Sequence, residues 1–223
     1  VSHELRTPLT VIKGNVGLVR KLGEADEESL NGIEQEVDRL TRMVGDLLLL
    51  AQAESGRLPL ALGPVELDTV LLEVFQQMRV LAGEKIQIRV TEIDQVLVTG
   101  DRDRLKQVLV NLVGNAVQYT PGGGTVSLAL RKTDQQVQII INDTGQGIPA
   151  ADLPHIFERF YRGEKSRKRS SASSGFGLGL SIAFWIVKAH GGTIEVTSKE
   201  GQGTTFCVWL PLSGPPQKAE EKK

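Results

Sequence analysis

Apolar residues at helical spacing in the first 51 positions fall at Leu5, Leu9, Ile12, Val16 and Val19, then at Leu30, Ile33, Val37, Leu40, Val44, Leu47 and Ala51. Both series step alternately by three and four, the seam of helices that pack at a shallow angle. Gly23-Glu24-Ala25-Asp26 interrupts them, with Gly23 suited to end one helix and Asp26 to cap the next, which predicts an antiparallel helical hairpin. Leu47-Leu48-Leu49-Leu50 offers more apolar surface than one partner helix covers, so the expectation is a homodimer built as a four-helix bundle. Val1-Ser2-His3-Glu4 reads as helix interior without a cap, the expected start of an excised fragment.

The periodicity breaks at Ser55-Gly56-Arg57-Leu58-Pro59 and again at Gly63-Pro64, which predicts a short linker. Beyond it the pattern predicts a helix over 67–78, strands over 85–90 and 95–99, and a long helix over 102–119 capped by Asp101. Strands over 125–131 and 136–142, a helix over 178–189 and strands over 193–198 and 204–210 follow. Strands and helices mix without regular alternation, an α+β pattern. The domains are expected at 1–62 and 63–213, with a disordered Pro-rich, charged tail at 214–223.

Composition narrows the function classes. Twenty-six Lys and Arg against 27 Asp and Glu give a net charge of -1, so nothing draws the chain globally to nucleic acid or anionic lipid, and any anion site is local. Cys207 is the only cysteine, which excludes an intrachain disulfide and a thiolate metal cluster; in a strand it reads as inert core. No apolar run reaches the roughly 20 residues of a membrane span. Aromatic residues are few, at 4%, whereas glycine is abundant, with 24 residues.

Five stretches carry chemistry. His3 is followed by Glu4, by Thr7 one turn on and by Pro8, which removes a backbone donor and bends the helix just past the histidine. A neutral imidazole keeps a lone pair for attack while Glu4 takes a proton, or else His3 is a surface histidine among solvated charges. On the long helix, Asn111, Asn115, Gln118 and Tyr119 share a face opposite the apolar stripe of Leu105, Val108, Leu109, Leu112, Val113 and Ala116. Amide oxygens on such a face suit Mg²⁺, which completes its shell with water and substrate phosphates, or they face solvent as ordinary amides.

Asp143-Thr144-Gly145-Gln146-Gly147-Ile148 leaves an apolar strand in a glycine turn, where a carboxylate can accept from an exocyclic amine and glycines let backbone approach a planar ligand. Gly175-Phe176-Gly177-Leu178-Gly179 opens a helix whose free amides favour phosphate. Between the turns, five basic residues from Arg162 to Arg169 face one acid, giving a local +4 in a Ser-rich run that reads as a mobile lid over phosphates or as an exposed loop. His155 and His190 are assigned to structure, the latter as a helix-end cap.

In this order the motifs resemble the cytoplasmic core of two-component sensor histidine kinases. Ser2 to Thr10 is similar to the H box, Asn111 to Tyr119 to the N box, Asp143 to Gly147 to the first glycine box, Phe157 to Tyr161 to the F box, and Gly175 to Leu180 to the second glycine box. The resemblance spans the chain to about Leu212. It implies a dimeric helical hairpin followed by an α+β two-layer, Bergerat-type ATP-binding sandwich. His3 would be the phosphoacceptor, Glu4 its base, Asn115 the Mg²⁺ ligand with Asn111 adjoining, and Tyr119 a nucleotide neighbour. Asp143 would read adenine beside Gly145, Gly147 and Ile148, Arg162 would approach the γ-phosphate, and Gly175, Gly177, Leu178 and Gly179 would border the phosphates.

Also implied are a response-regulator receiver domain as partner, a bacterial cytoplasmic location compatible with the soluble part of a membrane-anchored sensor, and a phosphatase activity in which Thr7 holds a water. The ATP domain would swing to His3 about a hinge at Leu58 to Pro64. One position departs from the pattern: where the family commonly has Lys or Arg, this chain has Gln118, a loss the +4 segment is expected to offset. The rival readings are a hydrolytic ATPase on the same nucleotide fold, which would need a Glu where Asn111 stands, and a catalytically silent dimeric scaffold.

Overall fold

Helices α1 (Ser2–Leu22) and α2 (Glu27–Glu54) pack against each other as the predicted hairpin, and α1 stays helical through Pro8. The structure is a computed structural model that describes residues 2–22, 27–163 and 176–215, with side chains described for 7–20, 27–163 and 176–215. A Cβ on Gly32 would lie 2.6 Å from Nδ2 of Asn15, so those two residues stand face to face. Twelve residues back along α1 is His3 and twelve forward along α2 is Val44. Equal steps on antiparallel helices rise equally, so the His3 backbone stands level with Val44.

The apolar residues of α2 divide between two faces. Met43, Leu49, Leu50 and Ala53 are buried, the first three within the core of the C-terminal domain. Leu30, Val37, Val44 and Leu48, together with Leu9 and Val16 of α1, stay 40–59% exposed. The leucine run is therefore not wholly surface for a second copy, as its composition suggested: Leu49 and Leu50 turn inward, and Leu48 turns out. Helical spacing separates neighbours by about 100°, so one run serves two faces.

After α2 come β1 (Gly63–Glu66), α3 (Leu67–Ala82), β2 (Gln87–Ile93), β3 (Leu97–Gly100), α4 (Arg102–Tyr119), β4 (Thr125–Lys132), β5 (Gln136–Asp143), α5 (Gly179–Ala189), β6 (Thr193–Lys199) and β7 (Gly203–Pro211). The main sheet has the order β2-β4-β5-β7-β6, with β2 parallel to β4 and the other pairs antiparallel. Its inner face, including Val126, Leu128, Leu130, Ile139, Ile141 and Val208, is buried with the predicted α4 stripe and with α3 and α5. Each such aliphatic contributes about 1.5–3 kcal/mol of burial. Cys207 points to the other face and is half-buried, so it is not the core residue expected from the sequence. No described helix is long and apolar enough to cross a membrane.

The expected hinge is shorter than its sequence suggested. Gly63 to Glu66 form β1, paired with β3 so that Gly63 stands opposite Gly100 and Pro64 opposite Thr99. Asp101 anchors the chain just before it. Its Oδ1 accepts from the amides of Asp103 and Arg104, both at 3.1 Å, capping α4, while its Oδ2 accepts from the Ala61 amide at 2.9 Å. Proline survives in β1 because this two-stranded pair leaves it on a strand with a free edge.

Candidate active site

Two adjoining cavities of about 650 and 610 Å³ share Asn115, Tyr119, Ile156, Tyr161, Arg162 and Leu180, and together form one cleft beside the second half of α4. Asn111, Asn115, Gln118 and Tyr119 all line it, as their common helical face requires.

One end of the cleft is built around Asp143, which closes β5 and is 6% exposed. Burial pushes its carboxyl above the usual carboxylate range, opposed by the amides of Gly145 and Thr204. Both amides donate to Oδ1, at 2.8 and 3.3 Å, which leaves Oδ2 as the acceptor for the cavity. Gly145 is required here, since a Cβ would sit 2.6 Å from Asp143 Oδ1 and 2.6 Å from the Tyr119 carbonyl. Gly147 has φ +66, and Ile148 donates its amide to Ser198 Oγ at 2.8 Å. A small aperture lined by one buried carboxylate, Ile148, Pro149 and Phe206 suits a flat heterocycle carrying an amine.

The other end lies between Asn115, Gln118 and Gly177-Leu178-Gly179. Asn111 Nδ2 donates to the Gly179 carbonyl at 3.0 Å, so this amide ties α4 to the first turn of α5. Gly177, at φ +74, packs where a Cβ would meet the Tyr161 carbonyl at 2.8 Å, and the Phe160 amide donates to its carbonyl at 3.0 Å. Phe160 itself has φ +62, an uncommon conformation for a side-chain-bearing residue. These contacts clamp the segment before residue 164 to the loop before α5. Tyr161 Oη donates to Asp152 Oδ1 at 2.7 Å and fixes the clamp from the other side.

The third wall was not foreseen. Arg39, Arg42 and Asp46 of α2 complete this end of the cleft, and α2 packs against α5. The Arg39 guanidinium lies 4.7 Å from the centroid of the Phe176 ring, and Glu54 forms an ion pair with Arg159. Arg39, Arg42 and Asp46 share a helix face by spacing alone, but which body that face would meet is a long-range fact that local periodicity does not carry. Asp152, Ile156 and Tyr161 also line the cleft without having been singled out as site residues.

Among the candidates, Asn111, Asn115, Gln118, Tyr119, Asp143, Gly147, Ile148, Arg162, Gly177, Leu178 and Gly179 line this cleft, and Gly145 supports Asp143 from behind. Thr7 lies exposed on α1. His3 and Glu4 lie in α1 but their side chains fall outside the described residues, as do Gly175 and the basic segment from 164 to 175. His190 is a structural histidine, with Nδ1 at 2.8 Å from the Ile186 carbonyl. His155 is an exposed partner of Glu158 at 2.7 Å. Among the described residues no His, Cys, Asp and Glu cluster forms a ready-made metal site, so a cation here would depend on the amide oxygens and its substrate.

The family model described as histidine kinase-, DNA gyrase B- and HSP90-like ATPase matches residues 100–214, and that of the His kinase A phospho-acceptor domain matches residues 1–56. A probable sensor histidine kinase of Mycobacterium tuberculosis, TcrY, is 41% identical over 96% of the chain and 45% of its own length. The signal transduction histidine-protein kinase BaeS of Escherichia coli is 38% identical over 95% of the chain and 45% of its length. The chain thus spans about half the length of the curated relatives it matches.

Among solved structures, the Acinetobacter baumannii histidine kinase AdeS aligns with a TM-score of 0.76 at 26% identity, covering 94% of this chain and 98% of that one. Full-length ShkA in complex with AMPPNP aligns at 0.69 and 30% identity, covering 97% and 45%. Histidine kinase ThkA in complex with the response regulator TrrA aligns at 0.68 and 26%, covering 96% and 60%. With a phospho-acceptor hairpin joined to an ATPase-like sandwich, the chain belongs to the two-component sensor histidine kinases, whose catalytic core it represents.

Proposed function

We propose that the chain catalyses ATP-dependent phosphorylation of His3 and passes the phosphoryl group to an aspartate of a response regulator. The reading rests on one observation: residues 39–46 of α2 wall one end of the cleft, and the hairpin register brings His3 to the height of Val44 in that same stretch. Asp143 Oδ2 accepts from the adenine amine, and the α5 amino end with Arg162 holds the phosphate tail. The Asn115 amide oxygen fits Mg²⁺, which when bound offsets the charge of the triphosphate, and Asn111 holds the adjoining loop in place.

In the transfer, an imidazole nitrogen of His3 attacks the γ-phosphorus in line as the bond to the bridging oxygen breaks. ADP leaves with that electron pair, and Glu4 takes the imidazole proton. The aspartate of the regulator then displaces the histidine. Positioning supplies most of the rate, because the protein contributes orientation and charge and no covalent chemistry beyond the imidazole. The exposed apolar seam of the hairpin supports homodimerisation, and Thr7, exposed one turn from His3, supports a water-holding role in regulator dephosphorylation. A hydrolytic ATPase would need a base at Asn111, whose carboxamide has none.

Incubation with γ-labelled ATP and Mg²⁺ tests the reading. His3→Gln is expected to bind ATP as the parent does and to incorporate no acid-labile phosphate. Acid-labile label on the variant would move the acceptor elsewhere.

A further inference from the structure

We infer that Arg42, delivered from the phosphoacceptor hairpin, is the cation that binds the nucleotide's phosphate tail in the place where α4 offers only the neutral Gln118. The inference rests on the nucleotide reading of the cleft. Four charged side chains line its phosphate end: Arg39, Arg42 and Asp46 from α2, and Arg162 from the loop after the F box. Arg39 is already engaged, over the Phe176 ring at 4.7 Å and against Glu36 at 3.5 Å. Arg42 is exposed to the cleft, and among the described residues it donates only Nε, to the Asp38 carbonyl of its own helix at 3.3 Å, which leaves both terminal nitrogens for a ligand.

The geometry separates Arg42 from its neighbours. Asp46 one turn on is half-buried; burial raises its carboxyl above the ordinary range and the Arg42 charge opposes that shift. A carboxylate here repels a triphosphate unless a guanidinium stands beside it, and Arg42 does. Gln118 faces the same cavity from α4, with donors but no charge. A fork of two terminal nitrogens matches phosphate oxygens better than a carboxamide does.

A cation on the hairpin has a different consequence from one on α4. Nucleotide affinity becomes linked to the docking of α2 on α5, and the linkage is reciprocal: bound triphosphate holds the hairpin against the cleft. Adenosine, which lacks the phosphates, is indifferent to it.

Calorimetry on the full 223-residue chain tests the assignment with ATP and adenosine as probes. Arg42→Gln removes the charge and shortens the side chain while keeping an amide donor; its ATP dissociation constant is expected to rise about tenfold, with adenosine unchanged. Gln118→Lys is expected to change the parent less than about threefold yet to recover most of the loss in the Arg42→Gln background, the coupling of two residues that serve one ligand. Unchanged ATP affinity in Arg42→Gln, equal losses for ATP and adenosine, or the same gain from Gln118→Lys in both backgrounds would each overturn it. If the parent chain binds neither probe, the nucleotide reading itself fails, an outcome distinct from failure of Arg42 alone.

Discussion

The amide of Asp101 donates to Nε2 of His190 at 3.0 Å, joining the start of α4 to the end of α5 across 89 residues. The bond requires a neutral imidazole, since Nε2 must keep its lone pair, while Nδ1 serves the Ile186 carbonyl. Burial holds the pKa of His190 below its ordinary value, against the Ile186 bond and the Asp101 charge. A histidine with a lowered folded-state pKa contributes stability that is complete above the unfolded value, about 6.5, and declines as pH falls below it. Urea midpoints are expected to drop between pH 7.5 and pH 5.5. In His190→Ala the part of that drop owed to the imidazole disappears, at a fixed cost of about 1–3 kcal/mol for the buried amide left unpaired. An identical drop in the variant would assign the pH dependence to other groups.

Asn111 invites two explanations that its substitutions separate. As a tether to Gly179 it acts through Nδ2, which both Asn111→Ala and Asn111→Asp remove. Asn111→Ala is therefore expected to lose about 0.5–1.5 kcal/mol of stability together with part of its ATP affinity, and Asn111→Asp no less, since its carboxylate faces the same carbonyl. If Asp instead restores binding when Mg²⁺ is added and Ala does not, Asn111 holds the metal through its oxygen.

Two glycines in the cleft respond unequally to a methyl group. At Gly145 it would press on Asp143 Oδ1 and the Tyr119 carbonyl, both at 2.6 Å, so Gly145→Ala is expected to weaken ATP binding at least about tenfold and to cost about 1–3 kcal/mol. At Gly179 the nearest atoms belong to Asn111, at 3.6 Å, an ordinary contact, and Gly179→Ala is expected to stay near the parent. Parallel thermal melts and ATP titrations compare them; equal losses would mean that backbone freedom at the start of α5, and not space, governs the site.

Val37 is 47% exposed on the hairpin seam, flanked one heptad away by Leu30 and Val44. Light scattering on a sizing column is expected to give a dimer for the parent and a monomer for Val37→Asp, with a lower and concentration-independent melting temperature for the variant. A variant that remains dimeric would place the interface away from this seam.

Much of the fold was legible because its signals are local. Asp101 followed by an apolar stripe at helical spacing marks α4 from end to end, and alternation marks β4 and β5. The short strand β1 was not, because Gly63-Pro64 speaks for a turn and only the partner strand β3 makes it a strand. In the cleft, the residues of α4 and the glycine turns announced themselves by type and spacing. Arg39, Arg42 and Asp46 did not, since charged residues on a long helix look solvated until a second body is laid against them. Leu49 and Leu50 escape the sequence for the same reason: they are buried in a core shared with the C-terminal elements, and α2 packs against α5 more than a hundred residues away.

The hydrogen bond from Ala61 to Asp101 sets the length of the leash between the two bodies. With Ala61 held on one side and the amides of Ser55, Gly56 and Arg57 bonded back to the last turn of α2 on the other, residues 58–60 are the part least tied to either body, a stretch of about 10 Å when fully drawn out. Undocking of α2 therefore carries the cleft along a short arc around the foot of the hairpin. Inserting glycines at 58–60 widens that arc without touching either body.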